Sequence, residues 1–132
     1  LYFKILLFSL EYLSHIWYNI YMSQYKISMY KTDNGKVPFT IWLESIKDPT
    51  MKRRIRLRVD RMIDGNFGDT RNLGDDLYEL RLFFGPGYRI YYTVENDILV
   101  ILFSGGDKSS QEDDIKKAKL YLNDYKGGNN DK

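Results

Sequence analysis

Arg81, Arg89 and Lys108 are the residues whose types and spacing point to chemistry. They fall in or just after "LYELRLFF", "YRIYYTV" and "ILVILFS", short runs rich in β-branched and aromatic residues that read as three strands joined by "GPG" and "END". Strand side chains alternate between faces. Leu80 and Leu82 therefore share one face and Glu79 and Arg81 the other; on the next strand Ile90, Tyr92 and Val94 oppose Arg89, Tyr91 and Thr93. Matching apolar to apolar sets Leu80 opposite Ile90, Arg81 opposite Arg89 and Glu79 opposite Tyr91. Two facing arginines repel, so either Glu79 and Asp107 neutralise them or the site accepts an anion. With Lys108 at the end of the following strand and Tyr91 as a stacking surface, the set suits a phosphodiester and a neighbouring base. An ordinary solvated face with internal salt bridges is the alternative.

The stretch "SGGDKSSQEDDIKKAK", Ser104 to Lys119, has the glycines, lysine and serines of a phosphate-binding loop. A Walker-type loop needs G-x-x-x-x-G-K-[ST], but Asp107 stands between Gly106 and Lys108 and the opening glycine is missing, so no nucleotide cofactor is implied. The glycines instead let the chain leave a strand. Ser109 or Ser110 is expected to cap a helix, with Glu112 or Asp113 closing a capping box. Lys108 has no part in that cap and remains a free site group.

A second basic feature is "MKRRIRLRVDRM", which gathers Lys52, Arg53, Arg54, Arg56, Arg58 and Arg61 with Asp60 as its only acid. Arg54, Arg58 and Arg61 share a helix flank at i, i+4, i+7 spacing, a stripe suited to a polyanion or an acidic protein; a solvated helix face is the alternative. The chain has no cysteine and a single histidine, His15. That composition excludes disulfides, cysteine-based zinc sites and multi-histidine metal sites, argues against a Ser-His-Asp triad, for which His15 would be the one histidine, and fits a reducing cytoplasm.

The elements that must position these groups fill one domain, since 132 residues leave little room for two. Residues 1–21, "LYFKILLFSLEYLSHIWYNIY", differ from the rest. Lys4, Glu11 and His15 interrupt what would have to be about 20 apolar residues for a membrane span. They read as an over-called start or added extension, with the functional protein beginning near Met22; an amphipathic membrane-surface helix is the alternative. Residues 22–126 form the domain. Tyr25 to Thr32 reads as a strand, Pro38 opens a short helix burying Phe39, Trp42, Leu43 and Ile46, and Asp48-Pro49 breaks it. The basic helix follows, with Met51, Ile55, Val59, Met62 and Ile63 on one face and Gly65 as C-cap. A Gly- and Asp-rich loop leads to the three strands. A last helix from Ser110 to Tyr125 buries Ile115, Ala118 and Leu122, and residues 127–132 are a polar tail with nothing to order it. The expected class is α+β, a small, mainly antiparallel sheet packed on helices in the order β-α-α-β-β-β-α.

"WLESIKD", "RRIRLRVDRMIDGNFGD" and, in sequence, "ELR", "GPGYRIYY" and "GGDKSSQ" resemble the RelE/ParE superfamily of type II toxins, in particular its phage-derived, HigB-like addiction-module killer proteins. The resemblance covers about Tyr25 to Leu122. It implies a cytoplasmic toxin neutralised by an antitoxin encoded beside it, of helix-turn-helix type. It also implies an activity: cleavage of mRNA on the ribosome without metal or other cofactor, by attack of a ribose 2′-OH on the adjacent phosphate.

Carried over by position, Arg89 matches the family's phosphate-binding arginine. Arg81 falls where relatives place a basic residue for proton transfer or phosphate contact, and Lys108 matches a residue stabilising the leaving group. Arg53, Arg54, Arg58 and Arg61 are then expected to contact ribosomal RNA or the antitoxin. Two positions depart from the pattern. Glu79 replaces a lysine and becomes a candidate base, and Asp114 stands where a catalytic tyrosine is found, so that either Tyr88 or Tyr91 substitutes or the mechanism differs. The superfamily also contains DNA gyrase poisons and members without toxicity, so a non-nuclease toxin or an antitoxin-binding co-repressor remains the alternative.

Overall fold

The computed structural model describes residues 9–17 and 24–130. The expected start at Met22 and residues 131–132 lie outside the described residues, as do parts of the 1–21 segment. Residues 9–17 form a helix, α1, that exposes Leu10, Tyr12, Leu13 and Trp17. No helix among the described residues is long and apolar enough to cross a membrane.

From residue 24 the chain is α+β: β1 (Lys26–Met29), α2 (Pro38–Ser45), α3 (Pro49–Ile63), β2 (Thr70–Gly74), β3 (Leu77–Arg81), β4 (Arg89–Glu95), β5 (Leu99–Gly106) and α4 (Gln111–Asn130). One five-stranded sheet has the order β1-β5-β4-β3-β2. Its pairs are antiparallel except β1 with β5, which run parallel. Helices α2 and α3 cover one face through Phe39, Leu43, Ile55, Val59 and Met62, packed on Leu80, Ile90, Tyr92 and Leu102. Helix α4 covers part of the other through Ala118 and Leu122, packed on Leu77, Tyr91, Ile101 and Phe103. The alternation expected from the sequence thus sorts side chains between two separate cores.

Three local features differ from expectation. Thr70–Gly74 is a strand rather than loop, joined to β3 by a two-residue turn in which Asp75 and Asp76 both adopt positive φ. Such a turn matches the twist of paired strands, and aspartate tolerates the left-handed region. The polar composition of "TRNLG" belongs to a sheet edge, where a strand has one neighbour and two exposed sides. The "GPG" connection is a wider loop, closed by Leu82 N–H donating to the Tyr88 carbonyl, which lets Phe83 and Phe84 leave the strand. Helix α4 continues through residues 127–130 instead of fraying at a tail.

The ends of α3 are held by local chemistry. Asp48 accepts from the Thr50 amide with Pro49 in the first turn. Gly65, at φ +80°, donates to Met62 while Asn66 donates to Arg61, a Schellman closure that needs a left-handed residue. This closure fixes where the arginine flank stops and where the loop to β2 begins.

Candidate functional site

The β3–β4 register is the one the sequence implies: Glu79 lies opposite Tyr91, Leu80 opposite Ile90 and Arg81 opposite Arg89. The facing arginines are compensated by two different acids. Arg81 makes a two-point ion pair with Asp69, Nε to Oδ2 at 2.9 Å and Nη2 to Oδ1 at 3.1 Å. That pairing raises the Arg81 pKa further above its ordinary range. Asp69, placed by the turn that closes onto β2, is a partner to which no local sequence pattern points.

Glu79 serves Arg89. Its carboxylate is fully buried, accepts from Gln111 Nε2 of α4 at 3.0 Å, and lies 3.8 Å from Arg89 Nε and 3.5 Å from Arg71 Nη2. Tyr91, opposite it, is also fully buried. Burial chiefly, reinforced by the Glu79 charge and hydrogen bonding beside it, pushes the Tyr91 hydroxyl well above the usual phenol range. The expected stacking surface is therefore absent: α4 seals the Tyr91 ring, and Glu79 is a counter-ion enclosed in the protein, out of reach of a ribose.

Arg89 and Lys108 do come together. The Arg89 side chain is only 13% exposed and its Nη1 donates to the Gly87 carbonyl at 3.0 Å. Lys108 opens a single 3-10 turn (Lys108–Ser110) after β5, is exposed, and has no ion-pair partner among the described residues. Arg89 Nη1 and Lys108 Cβ each lie 3.8 Å from the point where a Cβ on Gly87 would project. Arg89 is held rigidly, and the Lys108 side chain starts beside it with no ion-pair partner among the described residues.

The β5–α4 junction is capped locally. Asp107 is the N-cap of the 3-10 turn that precedes α4; its Oδ1 accepts from the Ser109 amide at 2.8 Å, and the Ser110 hydroxyl completes a capping box. The Ser109 hydrogen bond, helped by backbone donors and the Arg89 charge, holds the Asp107 carboxyl below its usual range. The glycines are required by close approach. A Cβ on Gly105 would lie 2.2 Å from the Trp42 ring, and one on Gly106 would lie 1.8 Å from Asp114 Oδ2. Asp114 accepts from Ser110 at 2.5 Å. Tyr88 lines a cleft of about 370 Å³ with Trp42, Asp48, Asp107 and Asp114, and burial raises its hydroxyl pKa.

On α3 the basic side chains divide. Lys52 and Arg56 pair with Glu44 of α2 at 3.6 and 3.3 Å, and Arg53 is exposed. Arg54, Arg58 and Arg61 line a groove of about 430 Å³ whose opposite wall carries Arg81, Phe83 and Phe84. The Arg54 guanidinium lies 4.0 Å over the Phe84 ring. Arg58 donates to the Asn66 carbonyl at 3.0 Å, and burial, then the neighbouring Arg61, lowers its pKa. Gly68 leaves room for this arginine, since a Cβ there would lie 1.7 Å from Arg58 Nη2.

Sequence reasoning missed Asp69, Arg71, Gln111, Phe83 and Phe84. Phe83 and Phe84 lie past the end of β3 at Arg81, where strand alternation no longer applies, so no periodic signal placed them beside α3. Asp69, Arg71 and Gln111 needed β2 and the α4 docking position, neither of which a local pattern supplies.

Over 82 residues the chain is 48% identical to an uncharacterized protein of Haemophilus influenzae, a match covering 62% of this chain and 83% of the relative. The chain belongs to that protein's family. No protein-family model matches it. Membership in this family establishes kinship and leaves the chemistry to be argued from the geometry.

Proposed function

We propose that the chain is the toxin of a type II toxin–antitoxin pair with a RelE/ParE-like fold, acting in the cytoplasm as a ribosome-dependent mRNA endonuclease. The observation that carries this reading is the convergence of Arg89 and Lys108 beside Gly87 at the end of a rigid sheet. Arg89 is pre-oriented by Glu79 and the Gly87 carbonyl. Lys108, exposed and unpaired, can follow a reacting oxygen. In the reaction, the 2′-hydroxyl releases its proton to solvent water as its oxygen bonds to phosphorus and the bond to the 5′-oxygen breaks, leaving a 2′,3′-cyclic phosphate. Arg89 stabilises the added charge on the phosphoryl oxygens, and Lys108 donates a proton to the departing 5′-oxygen; arginine holds its proton too tightly for that role. The partners are the ribosome with its mRNA and an adjacently encoded antitoxin of helix-turn-helix type.

One observation favours a second reading. Glu79 and Tyr91 are sealed beneath α4, and Asp107, with its carboxyl held below the usual range, is a poor proton acceptor. A toxin of this fold that binds its target without cutting RNA, such as a gyrase poison, or an antitoxin-binding co-repressor, needs no such base. Induction of the full chain in growing cells, with transcript 5′ ends mapped within minutes, separates the readings. New ends inside translated frames, abolished in the Arg89→Ala, Lys108→Ala double variant, are the expected result. Growth arrest without new ends sinks the nuclease reading and moves the target to gyrase, and no arrest leaves the co-repressor.

A further inference from the structure

The groove between α3 and the β3–β4 loop holds more positive charge than the fold neutralises. Arg54, Arg58 and Arg61 have no ion-pair partner among the described residues, and the one acid in the wall, Asp69, is already engaged by Arg81. Arg58 is held there against both its own desolvation and the like charge of Arg61. Clusters of that kind are relieved by a bound anion. Beside them Phe83 is 82% exposed, although the same loop tucks Phe84 beneath Arg54. A large aromatic ring left in water next to three guanidinium groups without acids has no role in either core.

We propose that this groove binds an unpaired stretch of RNA, with successive phosphates on Arg54, Arg58 and Arg61 and a base stacked on Phe83. The inference deepens the RNA-directed reading above and rests on it. Three features favour a single strand over other polyanions. A ring standing free in solvent matches the π-face of an unstacked base, whereas a duplex keeps its bases stacked inside and offers phosphates alone. The helical rise sets the three arginines in a row along α3, roughly 6 and 4.5 Å apart in axial rise, so that their long side chains can reach successive phosphates of one strand. The groove also borders the candidate site through Arg81. Arg81 stands in its wall and lies opposite Arg89 in the sheet, so one strand leaving Phe83 can pass Arg81 and reach Arg89 and Lys108. An acidic protein segment would satisfy the charge of the groove but gives no role to the exposed ring of Phe83.

The test is equilibrium binding of the full chain to a fluorescent, unstructured oligoribonucleotide, with a duplex of the same length as competitor. Phe83→Ala is expected to weaken single-strand binding about tenfold, Phe83→Tyr to restore it, and duplex binding to change little. Replacing Arg54 and Arg61 by Gln should weaken both ligands and flatten the salt dependence by about 0.7 for each phosphate no longer neutralised. Because Phe83 is exposed, an unchanged melting temperature will show that the variant is folded. Single-strand affinity indifferent to Phe83, or a groove that prefers duplex or an acidic peptide over the oligonucleotide, overturns the proposal. The outcome is separable from the nuclease reading. Phe83-dependent binding without cleavage in cells keeps the groove and removes the catalysis, and cleavage with Phe83-independent binding does the reverse.

Discussion

Two regions that meet at Arg81 and Arg89 treat charge in opposite ways. Beneath α4, one carboxylate is fully buried and surrounded by Arg71, Arg89 and Gln111. Along α3, three arginines line an open groove with no acid of their own. In the first region the charges serve the protein; in the second they are left over. A residue type that looks functional in sequence is therefore informative only once its partner is known. In sequence Glu79 and Tyr91 joined Arg81, Arg89 and Lys108 as candidate site residues, yet both are enclosed, and the exposed reactive potential lies at Lys108 and in the groove.

The contrast is most vulnerable at Glu79. Glu79→Ala should leave Arg89 and Gln111 without their buried acceptor and cost about 3–5 kcal/mol, the usual penalty for removing one partner of a buried ion pair. Glu79→Gln, which keeps an acceptor for Gln111 but not the charge, should cost less. Urea unfolding reads both. If Glu79→Ala is neutral, the region beneath α4 is not closed, and Glu79 returns as a candidate base.

The elements of this fold are legible in sequence where burial imposes a period. The β3–β4 register followed from Leu80, Leu82, Ile90 and Tyr92 alone, because a one-residue slip would turn every apolar side chain into water. The α3 flank followed likewise from Ile55, Val59 and Met62 on its opposite side. Strand β2 was hidden because an exposed edge carries no such period, and its signal is the pair Asp75-Asp76, whose φ values reach 55° and 67°. The candidate site was harder to read. Asp69 and Gln111 are distant in sequence from Arg81 and Glu79, and which acid meets which arginine depends on where β2 and α4 come to rest. Residue types could show that Arg81 needed a counter-ion, but they could not show which one.

A smaller effect is expected at the junction that carries Lys108. Asp107 caps the turn leading into α4, so Asp107→Ala should cost about 1 kcal/mol at neutral pH. The folded state depresses the Asp107 pKa, so its stabilisation is present above the unfolded carboxylate value of about 3.9 and is lost as pH falls through the lower folded value. Denaturation midpoints followed from pH 7 into acid should therefore converge for wild type and Asp107→Ala. Asp107→Asn should keep most of the cap at neutral pH and lose the acid dependence. A constant gap at all pH values would mean that the carboxylate charge contributes nothing to this end of the closed region.

Asp69→Asn probes the boundary between the two regions with the least disturbance to the fold. The Arg81–Asp69 pair is solvent-accessible on both sides, with side chains 41% and 33% exposed, and exposed pairs contribute little to stability. The melting temperature should hardly move. Binding should, because the substitution releases Arg81 into a groove that already holds three unpaired arginines. Affinity for the single-stranded oligoribonucleotide is expected to rise, and the salt dependence to steepen by about 0.7 for the added phosphate contact. The opposite result would be equally informative. If affinity falls, Asp69 is holding Arg81 in the orientation that a phosphate requires, as Glu79 holds Arg89. The division between structural and available charge would then run between Arg81 and the α3 arginines, making the facing pair Arg81 and Arg89 a single pre-oriented anion site after all.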